Sequence, residues 1–574
     1  MPSNSVQGAL ANHELDGSGR KTTSGLDDVN EPLSTSACNE ELHQRNFDSI
    51  LCEVGEFGRY QLVIYFLVCF PASVPSAWTA FNTPFIVAAP QHHCAVNGTP
   101  AMACSEWDAD ANSSVPCRHG WTYDRSTYQE TIVTQFDLVC DKVMWPMYTT
   151  MAFYIGSFIG NILFGYVADR WGRRLSFFLI LADQVLFGTA NAFAPNVYVY
   201  TVLRFLTGLS FPALFQIPFI ISMEIMGPSA RIFAGIVICV FFGAAMSLLG
   251  GVAALLRHWS TIIIVSNAPF ILLFVYWFFL PESARWLVSV QRFKEAAHAL
   301  AVIGRANGNR AQEADLRLKC VEAYKVSKGE AEEAQRHNLL DLFRTPNLRK
   351  KTLIITYVWL VNAVTYNVLT LNVSNLPVND YLSFAINGAV ELPAYFIIWP
   401  LLSLIGRRWP LCLSMLLGGA ACLLGVVAPS DPGGWIVSGL AFVGKFGIAG
   451  SFAIIYIFAG ELYPTVLRAL GMGMSSMVAG MGLIVGPQVV ELGGRWPLLI
   501  MGTLTCSAGL ASMFLPETLG AHLPQTVAEA ESYTGNDHRF WHCGSTVSKL
   551  PMDRYAADTE TTSTCAEPLN SSQP

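Results

Sequence analysis

Between about residue 60 and residue 515 the chain alternates long apolar runs with short polar connections. Twelve runs are long enough to cross about 30 Å of hydrocarbon as helices of roughly 20 residues each. They are 61–86, 144–167, 175–195, 197–223, 231–256, 259–280, 351–373, 381–405, 409–428, 434–459, 467–490 and 495–515. The spacing breaks twice, at a polar stretch over 87–143 and at a charged one over 281–350. Six spans, a long connection and six more predict an all-α polytopic membrane protein built as two pseudo-symmetric six-helix bundles. The divisions read as a polar tail over 1–57, a first bundle over 58–280, a linker over 281–350, a second bundle over 351–516 and a tail over 517–574.

Composition supports the pattern. With 52% hydrophobic and 13% charged residues, the chain is too apolar for an ordinary soluble protein, so a lipid bilayer is its expected surrounding. A net charge of −7, with basic residues scattered between apolar runs, argues against a nucleic-acid partner. No basic segment followed by an apolar one precedes residue 60, so the first span is expected to act as the insertion signal. Lys and Arg cluster beside the ends of spans 2, 4 and 8 and in the linker, which places those connections, and with them both termini, in the cytoplasm of a plasma-membrane protein. The stretch 87–143 then lies outside, where Cys94, Cys104, Cys117 and Cys140 are expected to form two disulfides, with three pairings open. Asn112 and, less favourably because Pro100 follows its acceptor triplet, Asn97 are glycosylation candidates in the same loop. Residues 1–45 and 520–574, rich in Ser, Thr and Asn, read as disordered ends, and the linker as short amphipathic helices, one near Phe293 to Ile303.

One charged cluster, Gly165-Tyr-Val-Ala-Asp-Arg-Trp-Gly-Arg-Arg174, ends span 2, and a shorter echo, Ile405-Gly-Arg-Arg408, ends span 8. The second helix of each half carries it, as a duplicated unit requires. With Glu224 to Arg231 after span 4, Pro281-Glu-Ser-Ala-Arg-Trp-Leu287 after span 6, Glu461-Leu-Tyr-Pro-Thr465 with Arg468 after span 10, and Leu515-Pro-Glu-Thr518 after span 12, the chain resembles the organic cation, anion and zwitterion transporters of the major facilitator superfamily. His92-His-Cys94, Cys117 with Gly120-Trp121, and Phe136-Asp-Leu-Val-Cys140 extend the likeness into the outer loop. The resemblance implies alternating access without enzyme chemistry, cofactor or metal, for a small organic solute with or without a coupling ion. It also implies a cytoplasmic latch between the halves, with Asp169 accepting from a helix start, Arg173 and Arg174 pairing with acids such as Glu224, and Glu282 with Arg285 and Glu461 with Arg468 acting likewise. Arg231, Arg407 and Arg408 belong to the same set.

Charges at the membrane midplane are costly and mark function. Glu391 lies about ten residues into span 8, roughly 15 Å deep at about 1.5 Å per residue, and Lys445 reaches a similar depth in span 10. Glu391 matches the acidic position that the resemblance associates with cationic substrate, and Lys445 a basic one; the bland alternative is a mutual ion pair that supports packing. Phe215, Gln216 and Phe219 on span 4, and Tyr366 and Asn367 on span 7, fall where the family places binding residues, and aromatic faces suit amines. Asp183 and Arg204 are expected to form a static buried pair between spans 3 and 4. The family's charge discriminator on span 11 is replaced here by Gly480. The expected substrate is therefore an amine or small zwitterion, of the kind carried by insect carcinine and beta-alanine transporters of that family. An organic-anion carrier, a sugar facilitator and a transport-inactive receptor are the alternatives. No Walker A string, His-Glu-x-x-His or nucleophile elbow supports an enzyme or an ATP-driven pump.

Overall fold

The computed structural model describes residues 47–533, apart from 56, 96–103, 109–112, 118, 228–229, 310, 336–337, 430–433 and 520–523. Twelve spans follow the predicted order: Arg59–Phe81, Trp145–Trp171, Arg173–Ala190, Val197–Ser210 with Ala213–Ile225, Arg231–Leu256, Trp259–Asn267 continuing as the tighter turns of Ala268–Phe278, Pro346–Leu371, Asp380–Ala389 with Glu391–Leu404, Arg408–Val427, Trp435–Leu462, Arg468–Glu491 and Trp496–Ser512. The first eleven have the length and hydropathy to cross a bilayer, and the twelfth is a shorter apolar helix. Spans 4 and 8 are each broken near their middle, at Phe211–Pro212 and at Val390. Proline explains both places, because Pro212 and Pro393 have no N–H to donate to the turn before them.

The packing defines a conformation. Toward the outside one core is shared by both halves, with Trp78, Phe81, Phe85, Phe153 and Leu249 packed against Tyr366, Leu369, Tyr381, Phe384 and Phe442. At the opposite end, the one expected to face the cytoplasm, each half keeps its own core, Phe164, Phe177, Leu214 and Ile221 in the first and Leu348, Trp359, Leu411 and Phe458 in the second. Hydrogen bonds between the halves lie at mid-membrane or outside it: Asn367 to Tyr154, Ser247 to the Ala385 carbonyl, and Tyr381 to the Thr127 carbonyl. Spans 5 and 8 also meet nearer the cytoplasm, through Phe233 and Trp399 at 6.1 Å. Packing between the halves is thus concentrated at the end that carries the loop after span 1, while toward the other end it narrows to that ring contact and to Ile236 against Ala394, Tyr395 and Ala449.

The outer loop is stapled by Cys94–Cys117 and Cys104–Cys140, which selects one of the three pairings. Two small antiparallel pairs, His92–Cys94 with Trp121–Tyr123 and Ser105–Asp108 with Ser113–Pro116, complete it. Asn97 and Asn112 lie outside the described residues.

Ordered segments flank the spans on both sides, and the one after span 12, Val527–Ser532, corrects the reading of disorder there. Phe47–Val54 is a helix whose Phe47, Ile50, Leu51 and Val54 pack on linker helices Ala284–Ser289, Phe293–Asn307 and Glu313–Gln335. Their i, i+3, i+4, i+7 spacing gives one apolar stripe. After span 12, Glu531 accepts from the free backbone N–H groups of Asn347 and Leu348 at 2.9 and 2.8 Å, capping span 7.

Candidate substrate site

The break in span 8 puts Glu391 at the first position of a new helix, where the positive end of the helix dipole favours a carboxylate. Glu391 and Lys445 are both fully buried, with Lys445 Nζ 3.0 Å from Glu391 Oε1. Span 10 can bring Lys445 this far in because Gly447 lets its backbone press on Gly418 of span 9. Gly243 of span 5 leaves room beside Glu391 from the other half.

Burying two charges costs more than their attraction returns unless their other atoms are also satisfied. Here they are. Tyr366 and Tyr395 donate to Glu391 Oε1 and Oε2 at 2.7 and 2.9 Å, and Lys445 donates to Thr370 Oγ1 at 2.6 Å. Lys445 Nζ also lies 3.1 Å from the centroid of the Tyr366 ring, a cation-π contact. Asn367, one residue along, donates to Tyr154 Oη of the first half at 2.5 Å, while its own Oδ1 is buried without a partner. The expected group of Glu391, Lys445, Tyr366 and Asn367 is therefore assembled in one place.

The span 4 candidates are not part of this first layer. Phe215 reaches it only through rings: Phe215 to Phe242 at 5.3 Å, Phe242 to Phe81 at 6.1 Å, and Phe81 to Tyr366 at 6.1 Å. Phe219 packs against the first half's cytoplasmic core, and Gln216 is half-buried on the same helix. The sequence reading missed Tyr395, Thr370, Tyr154 and Phe452, the last 5.5 Å from Tyr366. Tyr395 and Thr370 stand four residues after Glu391 and Tyr366, so helical periodicity could have found them.

Asp183 and Arg204 do not pair. Arg204 donates to Asn82 Oδ1 at 3.2 Å and Thr83 Oγ1 at 2.6 Å, and its guanidinium lies over Phe153. Asp183 Oδ2 is buried without a partner. Placing two charges on neighbouring spans does not give the rotation of either about its helix axis.

The cytoplasmic charges also differ from expectation, because they bind within each half instead of across the mouth. Glu282, not Asp169, caps a helix start: its Oε1 accepts from the backbone N–H groups of Arg173 and Arg174 at 2.9 and 3.2 Å. Burial holds its carboxyl above the usual range despite these donors. The Asp169 side chain is 78% exposed and its carboxylate pairs with Arg173, which also reaches Glu224 at 3.3 Å, while its backbone carbonyl accepts from the Trp286 indole at 2.9 Å. Arg174 donates to the Trp277 carbonyl and lies over its ring. Arg231 and Arg285 both turn to Asp48 on the N-terminal helix, leaving Glu224 and Glu282 to other partners. In the second half Glu461 binds Arg407 at 2.9 Å, not Arg468, whose Nε and Nη2 are buried without partners. Arg408 Nη1 lies 3.5 Å from the Leu515 carbonyl.

Comparison with known proteins agrees with this architecture. Residues 68–527 match the family model described as sugar (and other) transporter. The chain is 50% identical over 520 residues to organic cation transporter 1 of Caenorhabditis elegans, covering 85% of this chain and 89% of that one. It is 37% identical over 546 residues to the beta-alanine transporter of Drosophila melanogaster, again covering 85% and 89%. Among solved structures, the inward-open xylose transporter XylE from E. coli superposes with a TM-score of 0.56 at 15% identity, covering 82% of this chain and 98% of that one. With twelve spans in two duplicated halves and a family match through both of them, the chain belongs to the sugar and other transporter family of the major facilitator superfamily, in its organic cation transporter branch.

Proposed function

We propose that the protein carries small organic cations and zwitterions across the plasma membrane by alternating access, with both termini in the cytoplasm, and that Glu391 and Lys445 are its binding centre. The observation that supports this most is their buried pair at the break of span 8, ringed by Tyr366, Tyr395 and Phe452. An amine displaces Lys445 from Glu391 and gains the same tyrosines. A small zwitterion does better, since its carboxylate takes the freed Lys445 and one ion pair becomes two with no charge left alone. This favours amino-acid-like amines over simple anions, which would have to leave Glu391 unmatched. In this reading the Arg173–Glu224–Glu282 and Arg407–Glu461–Glu517 groups keep the helix ends rigid while the halves rock, and a coupling ion is an added requirement only if uptake follows an ion gradient. The outer loop faces the extracellular medium, with glycans at Asn112 or Asn97.

Uptake of labelled tetraethylammonium, beta-alanine, carcinine and an organic anion by cells expressing the full chain tests the reading. Saturable entry of the first three is expected. Glu391→Gln should lower Vmax/KM about 30-fold, the cost of removing one member of a buried pair. Entry of anions alone, or an unchanged Glu391→Gln variant at equal surface expression, overturns it.

A further inference from the structure

A turn of the extracellular loop joins the two halves beside their shared outer core. Backbone N–H groups of Gln129 and Glu130 point to the Arg257 carbonyl, Trp259 N–H donates to the Glu130 carbonyl at 3.1 Å, and Glu130 Oε2 lies 2.7 Å from His258 Nε2. The loop is thereby tied to the turn between spans 5 and 6 and moves with the first half. Just before this anchor, two residues reach across: the Thr127 carbonyl accepts from Tyr381 at 3.1 Å, and Tyr128 donates to Asp380 Oδ2 in a short contact. Phe85 of the first half stacks on Tyr381 at 5.3 Å and meets Phe384 edge-on at 4.9 Å.

Asp380 opens span 8 on its outer side, bonded to Tyr128 and next to Tyr381, whose rings join those of Phe85 and Phe384, each less than a tenth exposed. Of the nearby basic groups, His258 is bound to Glu130, and Arg257 donates to the Ala254 carbonyl while its charge still reaches Tyr381. A carboxylate among aromatic rings, covered by a phenol, has the chemistry of an organic-ammonium site. We propose that Asp380 with Tyr381 is an outer recruiting site for the ammonium end of substrate, and that Tyr128 takes the substrate's place there when the outside is shut. Outward opening must part Tyr128 from Asp380, since they belong to different halves, and the carboxylate then faces the entering solute. This rests on the reading of the protein as an organic cation carrier, but it concerns a site toward the outer end of span 8, well apart from Glu391.

The test is inhibition of tetraethylammonium uptake by hexamethonium, a bis-quaternary cation too polar to cross the bilayer, applied outside cells expressing the full chain. Tyr128→Phe removes the covering hydroxyl and keeps the carboxylate, so the inhibition constant should fall about threefold. Asp380→Asn removes the carboxylate, so it should rise about tenfold, the scale of one lost charge-assisted contact. If the contact were only a door, both variants would loosen it and both constants would fall; that result, or an unchanged constant in Asp380→Asn, overturns the proposal. Should Asp380→Asn fail to reach the surface, Tyr381→Leu replaces it, with a rise of about threefold expected and no change overturning. If tetraethylammonium does not enter at all, the carrier reading is at fault. The same variants are then compared by calorimetric titration of purified protein with hexamethonium, with the same outcomes deciding.

Discussion

Arg173 and Arg407 hold equivalent places in the two halves, and their surroundings repeat almost atom for atom. Each donates from Nη1 to the carbonyl five residues before it, Ala168 at 2.7 Å and Leu402 at 3.0 Å. Each binds an acid at the end of the fourth helix of its half, Glu224 or Glu461. In each, an acid beyond the sixth helix, Glu282 or Glu517, accepts from the arginine's own backbone N–H at 2.9 or 2.8 Å. The glycine before each arginine has positive φ, 101° at Gly172 and 108° at Gly406, and a Cβ there would run into that same capping carboxylate. The halves differ in what is attached to this unit. Arg231 obtains Asp48 from the N-terminal helix, whereas its counterpart Arg468 keeps two buried nitrogens unpartnered. Asp169, beside Arg173, is replaced by Ser403 beside Arg407. What the duplication retained is the clamp on the helix ends; what diverged is the link from that clamp to the rest of the chain.

The comparison is broken most directly by removing the hubs. Arg173→Met and Arg407→Met should each cost about 3 kcal/mol, the low end for deleting one partner of a mostly buried pair, because both leave an acid without the arginine bonded to it. In detergent this reads as a loss of several degrees in Tm, similar for the two variants. A large loss in one and none in the other would show that the halves only look alike. Asp48→Asn comes next. It strips Arg231 and Arg285 together of their carboxylate, yet both arginines are partly exposed, so about 1–2 kcal/mol is expected after discounting for solvent. Limited proteolysis should locate the loosening at the contact of Phe47–Val54 with the linker helices, leaving the second half's fragments unchanged.

These differences also mark where the sequence could and could not be read. Hydropathy gave the order of all twelve spans because lipid imposes one length and one composition on each. It did not give the breaks in spans 4 and 8, although Pro212 and Pro393 signal them, since an apolar run hides an interruption that its neighbours absorb. Depth counting placed Glu391 beside Lys445, because two charges at mid-membrane have few other partners to satisfy them. The same counting misjudged Asp183 and Arg204, for which Ser, Thr and Asn side chains were available instead. Phe47–Val54 was overlooked for a different reason: its apolar stripe is plain by period, but the surrounding polar composition disguised it. Of the charged groups at the helix ends, the Arg173–Glu224 pair was legible, while the turn of Arg231 and Arg285 to Asp48 was not, because Asp48 lies far away in sequence.

The smallest effect is expected at Asp169, the residue that most distinguishes the first cluster from its echo. Its carboxylate is 78% exposed and its one contact, to Arg173 four residues on, is of a kind worth at most a few tenths of a kcal/mol in water. Asp169→Asn should therefore leave Tm within about 1 °C of the parent when the outside is closed, and raising the salt should not enlarge the difference. A role confined to the opposite conformation would show differently, as slower uptake with unchanged Tm, because a contact made only when the cytoplasmic ends come together would alter the balance of conformations and not the fold. If instead the variant loses several degrees, Asp169 belongs to the clamp itself, and Ser403 in the echo would have to do the same work without a charge.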